Sequence, residues 1–224
     1  GLVGSEMCIR DRAYGYSPME DIQVITPSRK GVMGVIELNQ RLQAVLNPPS
    51  PSLPEVKSML YTFREGDKVM QIKNNYQQEW KIYGVSKTGT GRGYVLDEGV
   101  GVFNGDMGVI TDISDYDEEL TILFDDGRES VYNYKELDQI EHAFAVTIHK
   151  SQGSEYPAVI IPLLGGNRKL MNRNLIYTAI TRARQLVIIV GDVNLVNQMV
   201  DNSEEQKRYT SLALRLEELN ESME

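Results

Sequence analysis

The chain has 224 residues, a formal net charge of −9 and 41% hydrophobic residues, so it can form one or two domains with an apolar core. No apolar run approaches the roughly 18 residues of a membrane-spanning helix, so no transmembrane helix is predicted. The single cysteine, Cys8, excludes an internal disulfide framework and fits a reducing cytoplasm, where we expect the protein to act. Two histidines and one cysteine give no plausible zinc site, so no metal ligands are predicted.

Charge is distributed unevenly along the chain. Residues 63–142 carry eight basic and seventeen acidic groups, whereas residues 143–200 carry six basic and two acidic groups. Attraction to phosphate acts over about a Debye length, ~8–10 Å, so the local charge matters more than the total. The segment 143–200 is therefore the predicted anion-binding part, and the acidic middle argues against a broad footprint on duplex DNA.

An α/β domain is predicted to begin after the first twelve residues. Residues 1–12, GLVGSEMCIRDR, resemble translated sequencing-adapter read-through, and we exclude them from the fold. Within residues 13–62, Ile22–Thr26 is a predicted strand that ends at Pro27. The helix that follows has one apolar face made of Val35, Leu38, Leu42 and Val45. Ligands of open α/β sheets bind beyond the carboxyl ends of strands, so Arg29 in the connecting loop is a candidate site residue.

Residues 63–142 change to an all-β pattern. The short segments GDKVMQIK, MGVITDI, LTILF and ESVYNY alternate with turn residues, which predicts a small SH3-like barrel of four or five strands. Asp126-Gly127 suits the positive-φ positions of a type I′ hairpin turn. The glycine-rich loop 84–93 is predicted to be an excursion from this barrel. Tyr76 and Trp80 either belong to the barrel core or stack on nucleic-acid bases.

The chain then returns to the α/β domain over residues 143–200. Ala158–Ile161 and Leu186–Val190 are continuous apolar runs, which suit parallel strands covered on both faces. Asn174–Arg184 between them has a helical stripe of apolar residues at Ile176, Ala179, Ile180 and Ala183.

Two arginines flank that stripe. At ~100° per residue, Arg182 and Arg184 lie on opposite sides of the helix, away from its packing face. An anion is the predicted partner. Residues 201–224 are predicted to end the chain with an amphipathic helix over Arg208–Glu218.

The order of the motifs resembles that of superfamily 1 helicases, and the motif sequences are most similar to those of the RecD-like DNA helicases. AVTIHKSQGSEYPAVIIPL (145–163) resembles their motif V, and NRNLIYTAITRARQLVIIVGD (172–192) resembles motif VI. DIQVITPSRKGVMGVIELNQRLQ (21–43) is similar to the motif IV region, and residues 64–80 and 101–110 are similar to the small barrel of the second motor domain. The resemblance implies an α/β, RecA-like motor domain of the P-loop NTPase type that lacks its own P-loop and contains an inserted SH3-like β-barrel.

The resemblance also implies roles for nucleotide-side residues. Arg182 corresponds to the arginine that contacts the γ-phosphate of ATP, and Arg29 resembles the motif IV arginine, so both are predicted catalytic residues. Gln152, Gly153 and Glu155 are predicted to face the nucleotide. The alternatives are ordinary: Arg182 can cap a helix C-terminus, Gly153 can serve a simple turn, and Glu155 can be a plain surface carboxylate.

Motif V further implies contacts with single-stranded DNA through Thr147, His149 and Ser151. Thr147 and His149 alternate with Ile148, so on an extended chain both side chains project to the same side and can donate to phosphates without reading sequence. A hydrogen-bonded structural histidine is the alternative for His149. For Arg184 we expect a structural or DNA-facing role. The family resemblance implies 5′-to-3′ polarity.

Two expected elements of a complete motor are missing from these 224 residues. The sequence has no G-x-x-x-x-G-K-[ST] phosphate loop and no hydrophobic strand ending in the paired Asp-Glu that would hold Mg²⁺. We therefore expect the chain to be the C-terminal half of a motor and inactive alone. ATP with Mg²⁺ would be held mainly by an N-terminal motor domain. The alternatives are an RNA-acting helicase, an exonuclease V α subunit, and a standalone non-catalytic binding module.

Overall fold

The computed structural model describes residues 15–51, 53–84, 93–165 and 171–202. Segment 1–12, nearly all of loop 84–93 and the helix predicted at 208–218 lie outside these residues. The described helices are α1 (Val35–Leu46), a 3-10 helix (Tyr134–Gln139), α2 (Arg173–Ile180) and α3 (Val193–Asp201). The described strands are β1 (Ile22–Thr26), β2 (Glu55–Lys57), β3 (Thr62–Arg64), β4 (Lys68–Gln71), β5 (Asn75–Tyr83), β6 (Val95–Val102), β7 (Met107–Ser114), β8 (Glu119–Phe124), β9 (Glu129–Asn133), β10 (Ile140–His142), β11 (Ala145–Thr147), β12 (Tyr156–Leu163) and β13 (Ala183–Gly191).

A four-stranded parallel sheet is built from both ends of the chain. Its strand order is β11-β1-β12-β13, with Val24 opposite both Ala145 and Ile160. The predicted sheet is thereby confirmed, although more than a hundred residues separate β1 from its neighbours. Apolar residues of α1 pack on one face, and α2 and α3 pack on the other.

Three details of this sheet differ from the predictions. Val45 is 54% exposed and does not belong to the buried face of α1, which instead includes Asn39 and Gln43. Helix α2 ends at Ile180, so Arg184 lies in β13 and not on the helix. Within the described residues β13 is an edge strand with only partial burial, because no further strand pairs with it.

The second sheet is antiparallel and has the order β10-β4-β7-β8-β9-β5-β6. Four of its seven strands lie where the sequence predicted them, and the other three, β5, β6 and β10, were not predicted. The turn after β8 is not type I′. Gly127 has a φ of +87° whereas Asp126 is not among the described residues with positive φ, so a glycine bulge closes the hairpin.

The hairpin β2–β3 forms a separate two-stranded sheet that packs into the core of the second sheet. Its Val56 and Phe63 lie in the same core as Tyr132 and Ile122. We therefore propose that the barrel begins before β2, near residue 54, and not at residue 63. The other domain limits remain proposals.

A buried polar network fastens α1 to the barrel. The Asp67 carboxylate is fully buried and accepts from Gln43 Nε2 at 2.6 Å, Asn47 Nδ2 at 2.7 Å and the backbone N–H of Arg64 at 2.8 Å. His142 Nε2 lies 3.1 Å from the same carboxylate. Buried polar groups are stable only when paired, so these contacts fix the barrel against the parallel sheet.

Lys68, the residue after Asp67, is a buried cation. Lys68 is 7% exposed, and burial lowers the pKa of its ammonium below 10.5, while Asp125 opposes that shift. A lowered folded-state pKa means that the charged form destabilises the fold. This penalty is complete below the folded-state pKa and disappears as the pH rises from there towards 10.5.

We expect Lys68→Met to raise the free energy of unfolding at pH 7 by about 1 kcal/mol, because an apolar side chain of similar length avoids the desolvation cost. The stability of the wild type should rise as the pH approaches 10.5, because Lys68 loses its charge. The variant should not show this rise. Urea denaturation at several pH values measures both effects. The exposed Lys57→Met is the control, and a Lys68→Met variant less stable than wild type at pH 7 would refute this explanation.

Candidate functional site

Two loops leave the same edge of the parallel sheet. Strands β1 and β11 are parallel neighbours whose last residues, Thr26 and Thr147, are in register. Strand β12 lies on the other side of β1, so the strand order reverses at this point. Such a reversal opens a crevice at the carboxyl ends of the strands, where open α/β sheets bind ligands. We call this the carboxyl edge.

Thr147 begins a single helical turn at the carboxyl edge. Its hydroxyl accepts from the backbone N–H of Lys150 at 3.2 Å, and its carbonyl accepts from the N–H of Ser151 at 3.0 Å. The predicted extended approach is therefore wrong beyond Thr147. Thr147 is half-buried and the side chain of His149 is exposed, so both can still reach a ligand.

Ser151 was predicted to contact single-stranded DNA, but the structure does not expose its side chain. It is fully buried, and its hydroxyl donates to the carbonyl of Ile148 at 2.8 Å. Direct contact with a nucleic-acid strand would require this turn to open. Ser151 is therefore corrected to a residue that stabilises the turn presenting His149.

Arg29 also lies at the carboxyl edge, where it pairs with a residue of the barrel. Its Nη2 donates to Glu141 Oε2 at 2.6 Å and its Nη1 donates to Oε1 at 3.4 Å. Lys150 Nζ donates to the same Oε1 at 3.3 Å. Glu141 is 3% exposed, whereas Arg29 is 49% and Lys150 is 25% exposed. Sequence reasoning missed both Glu141 and Lys150 as members of the site.

Arg182 lies at the opposite edge, in the turn between α2 and β13. Its Nε donates to the Thr178 carbonyl at 3.3 Å, and its Nη1 donates to the Ser154 carbonyl at 3.1 Å. The contact with Thr178 is the one expected of a helix cap. The contact with Ser154 joins α2 to the loop 148–155, so Arg182 is half-buried beside the residues predicted to face the nucleotide.

The remaining nucleotide-side candidates lie around Arg182. Gln152 and Gly153 are exposed, and Gly153 has a φ of +91°, a conformation that favours glycine over other residues. Glu155 is 55% exposed and its carboxylate accepts from Arg184 Nε at 3.0 Å. Arg184 therefore serves as a partner of Glu155 in this structure.

The structure does not bring the two predicted catalytic arginines together. The backbone N–H of Tyr156 donates to the Arg182 carbonyl at the start of β12, whereas Val24 is opposite Ile160, four residues further along. Arg29 follows five residues after Val24. At about 3.3 Å per residue their backbones lie well over 13 Å apart along the strands. The expectation that both arginines contact one phosphoryl group is therefore not supported.

The aromatic candidates of the barrel have different environments. Tyr76 is 69% exposed and its ring meets Phe103 edge-on, with centroids 5.7 Å apart. Trp80 packs partly against the barrel core with the Arg128 guanidinium 5.8 Å from its ring. Trp80 therefore lies at the margin of the barrel core, and of these two aromatic residues Tyr76 is the exposed one.

In the described part of the chain, no group of three or more metal-ligating side chains comes together, and no helix is long and apolar enough to span a membrane. A cavity of about 360 Å³ lies between α1 and the β2–β3 hairpin. None of the predicted site residues lines it.

Two parts of the chain match known protein families. Residues 38–124 match the SH3 domain of ATP-dependent RecD-like DNA helicases, and residues 142–190 match the UvrD-like helicase C-terminal domain.

Similar curated proteins agree with these matches. The ATP-dependent RecD2 DNA helicase of Deinococcus radiodurans is 31% identical over 87% of this chain and 23% of its own length. The RecD subunit of the RecBCD enzyme of Mycobacterium tuberculosis is 26% identical over 89% of this chain and 29% of its own length. The chain thus spans less than a third of either relative. Among solved structures, Bacteroides Pif1 bound to single-stranded DNA aligns with 90% of this chain and 46% of its own, with a TM-score of 0.48 and 15% identity.

Proposed function

Because the chain belongs to the RecD-like family of superfamily 1 helicases and represents the C-terminal region of such a protein, we propose that it is the second motor half of an ATP-dependent DNA helicase. In the complete motor, meaning this chain together with a preceding P-loop domain, the nucleotide would lie between the two halves. The chain alone would then hold only one wall of the nucleotide site and should not hydrolyse ATP.

One observation carries this proposal: a single loop joins the two edges of the sheet. Residues 148–155 leave the carboxyl edge after Thr147 and reach the amino end of β12, where the Ser154 carbonyl accepts from Arg182. His149 lies near the beginning of this loop and Glu155 lies at its end. A ligand at one edge can therefore bias the conformation of the loop that contacts a ligand at the other edge.

The proposed mechanism assigns each edge a different phosphate. At the carboxyl edge, Thr147 and His149 would donate to the backbone of a single strand without reading its bases. At the opposite edge, Arg182 would leave the carbonyls of Thr178 and Ser154 and turn to the γ-phosphate as the two halves close. A guanidinium there stabilises the charge that develops on the transferred phosphoryl group, and Mg²⁺ held by the P-loop half would neutralise the rest.

Alternating closure and release would then move the strand. Closure on ATP tightens the loop 148–155 around Arg182 and changes the grip of His149 on the strand. Hydrolysis removes the γ-phosphate, and Arg182 returns to its carbonyl partners. The 5′-to-3′ direction is part of the proposal.

His149→Ala tests the strand contact in the complete motor. We expect affinity for single-stranded DNA to fall about tenfold, because an exposed donor to phosphate is removed. DNA stimulation of ATP hydrolysis should fall while the basal rate without DNA remains. Fluorescence anisotropy with a labelled oligonucleotide, run beside steady-state ATPase assays, measures both. Unchanged binding and stimulation would mean that His149 is a plain surface residue.

A further inference from the structure

A buried carboxylate lies directly behind two exposed cations at the carboxyl edge. Glu141 belongs to β10 of the barrel, whereas Arg29 and Lys150 belong to the two loops of the parallel sheet. All three meet at Glu141 Oε1, which accepts from Arg29 at 3.4 Å and from Lys150 at 3.3 Å. The three charged groups therefore form one cluster with a net charge of one positive unit.

Among the described residues, only Glu141 accepts hydrogen bonds from the side chains of Arg29 and Lys150, so further donors of both cations remain available. Glu141 takes one N–H from each terminal nitrogen of Arg29, and a guanidinium has five N–H donors in all. The edge formed by Nε and the second N–H of Nη2 is left for another anion. Lys150 keeps two of its three donors. Phosphate oxygens are the ligands that such paired cations bind best.

We propose that Arg29 and Lys150 form one phosphate-binding site whose affinity is set by the Glu141 carboxylate behind it. This inference rests on the proposed function for its ligand, the phosphates of a nucleic-acid strand, because Arg29 lies on the side of Thr147 and His149 and far from Arg182. Glu141 is an internal counter-ion. It keeps the empty site from holding two unpaired cations and keeps strand binding weak enough for release.

The charge of the cluster determines what each substitution should do. Lys150→Ala leaves one cation paired with one carboxylate, so the site loses its net positive charge. Glu141→Gln keeps the size of the side chain and raises the net charge to two positive units. Combining the two changes restores the wild-type net charge of one, so the second substitution should rescue the first.

The test measures binding of a fluorescein-labelled oligothymidylate to this chain by anisotropy. Lys150→Ala should weaken binding about tenfold, and Glu141→Gln should tighten it about fivefold to tenfold. The double variant should return to within about threefold of wild type. Glu37→Gln is the matched control, since it also removes a carboxylate paired with an arginine, at 2.7 Å on α1, and should change affinity by less than about twofold.

Salt dependence provides a second measurement that does not depend on stability. Lys150→Ala should lower the slope of log Kd against log salt by about one unit, whereas Glu141→Gln should leave it unchanged. Inorganic tripolyphosphate in place of the oligonucleotide distinguishes the two sources of phosphate. If the variants change its affinity and not that of the oligonucleotide, the assignment to the strand is overturned.

Failure of the rescue would overturn the proposal itself. A double variant as weak as Lys150→Ala, or a Glu141→Gln variant that binds no tighter than wild type, would show that Glu141 has only a structural role. These binding measurements involve no hydrolysis and no P-loop domain. Their failure would therefore leave the proposed motor function to be decided separately by ATP turnover.

Discussion

Replacing Arg182 by alanine in the complete motor is expected to lower the DNA-stimulated kcat by on the order of 10³ or more, the scale of an arginine finger. The guanidinium matters chiefly while the phosphoryl group transfers, so the affinity for ATP should change far less. Arg182→Lys should recover little activity, because a point charge cannot replace the planar fork. Steady-state and single-turnover ATPase assays with saturating oligonucleotide measure these effects.

The contacts seen for Arg182 make a matched control essential. Arg182 donates to two backbone carbonyls, so Arg182→Ala could act merely by loosening α2. Arg173, at the other end of the same helix, donates its Nε to the Val200 carbonyl at 2.6 Å. Arg173→Ala removes a comparable contact and should lower the melting temperature with near-normal turnover. If Arg182→Ala also lowers the melting temperature and keeps near-normal turnover, the role of Arg182 is only to cap the helix.

Asp67→Ala is expected to lower the free energy of unfolding by about 3–5 kcal/mol, the largest stability change that the structure suggests. The substitution removes the acceptor shared by Gln43, Asn47 and the Arg64 N–H. The amides of Gln43 and Asn47 then keep their contacts with the carbonyls of Thr62 and Glu65, and the Arg64 N–H loses its acceptor. For a chain of this size the melting temperature should fall by roughly 10 °C or more.

The loss of stability in Asp67→Ala should be largest at the contact between α1 and the barrel. Hydrogen exchange should show faster exchange in α1 and β4 than in the parallel strands β1 and β12. Asp112→Ala is the control, because Asp112 is exposed and its removal should cost less than about 0.5 kcal/mol. A loss no larger than that of the control would show that the Asp67 network contributes nothing to stability.

The sequence predicted the elements whose pattern is local. Strand β1 was predicted with its observed limits, because Pro27 ends it, and β12 was recognisable as a continuous apolar run. The barrel strands β7, β8 and β9 are short apolar and β-branched segments separated by turn residues. Hairpin β5–β6 was not predicted, because β5 is mostly polar and the apolar residues Val95 and Leu96 of β6 are adjacent and exposed.

Properties that depend on pairing between distant segments could not be predicted. The motifs indicated that Arg29 and Arg182 bind phosphate, but only the strand register places them at opposite edges. The pairing of Arg29 with Glu141 joins residues 112 positions apart, and no local pattern indicates it. Ser151 illustrates the same limit, because its burial follows from a turn that the extended reading of motif V did not include.

The coupling between the two edges is the central claim, and it can be measured as one free energy. Oligonucleotide affinity of the complete motor should be determined with and without a non-hydrolysable ATP analogue, in wild type and in Arg182→Ala. We expect the analogue to change the wild-type Kd by about tenfold, within the usual range of allosteric coupling, and to have little effect in Arg182→Ala. An unchanged wild-type Kd, with both ligands shown to bind, would contradict the account.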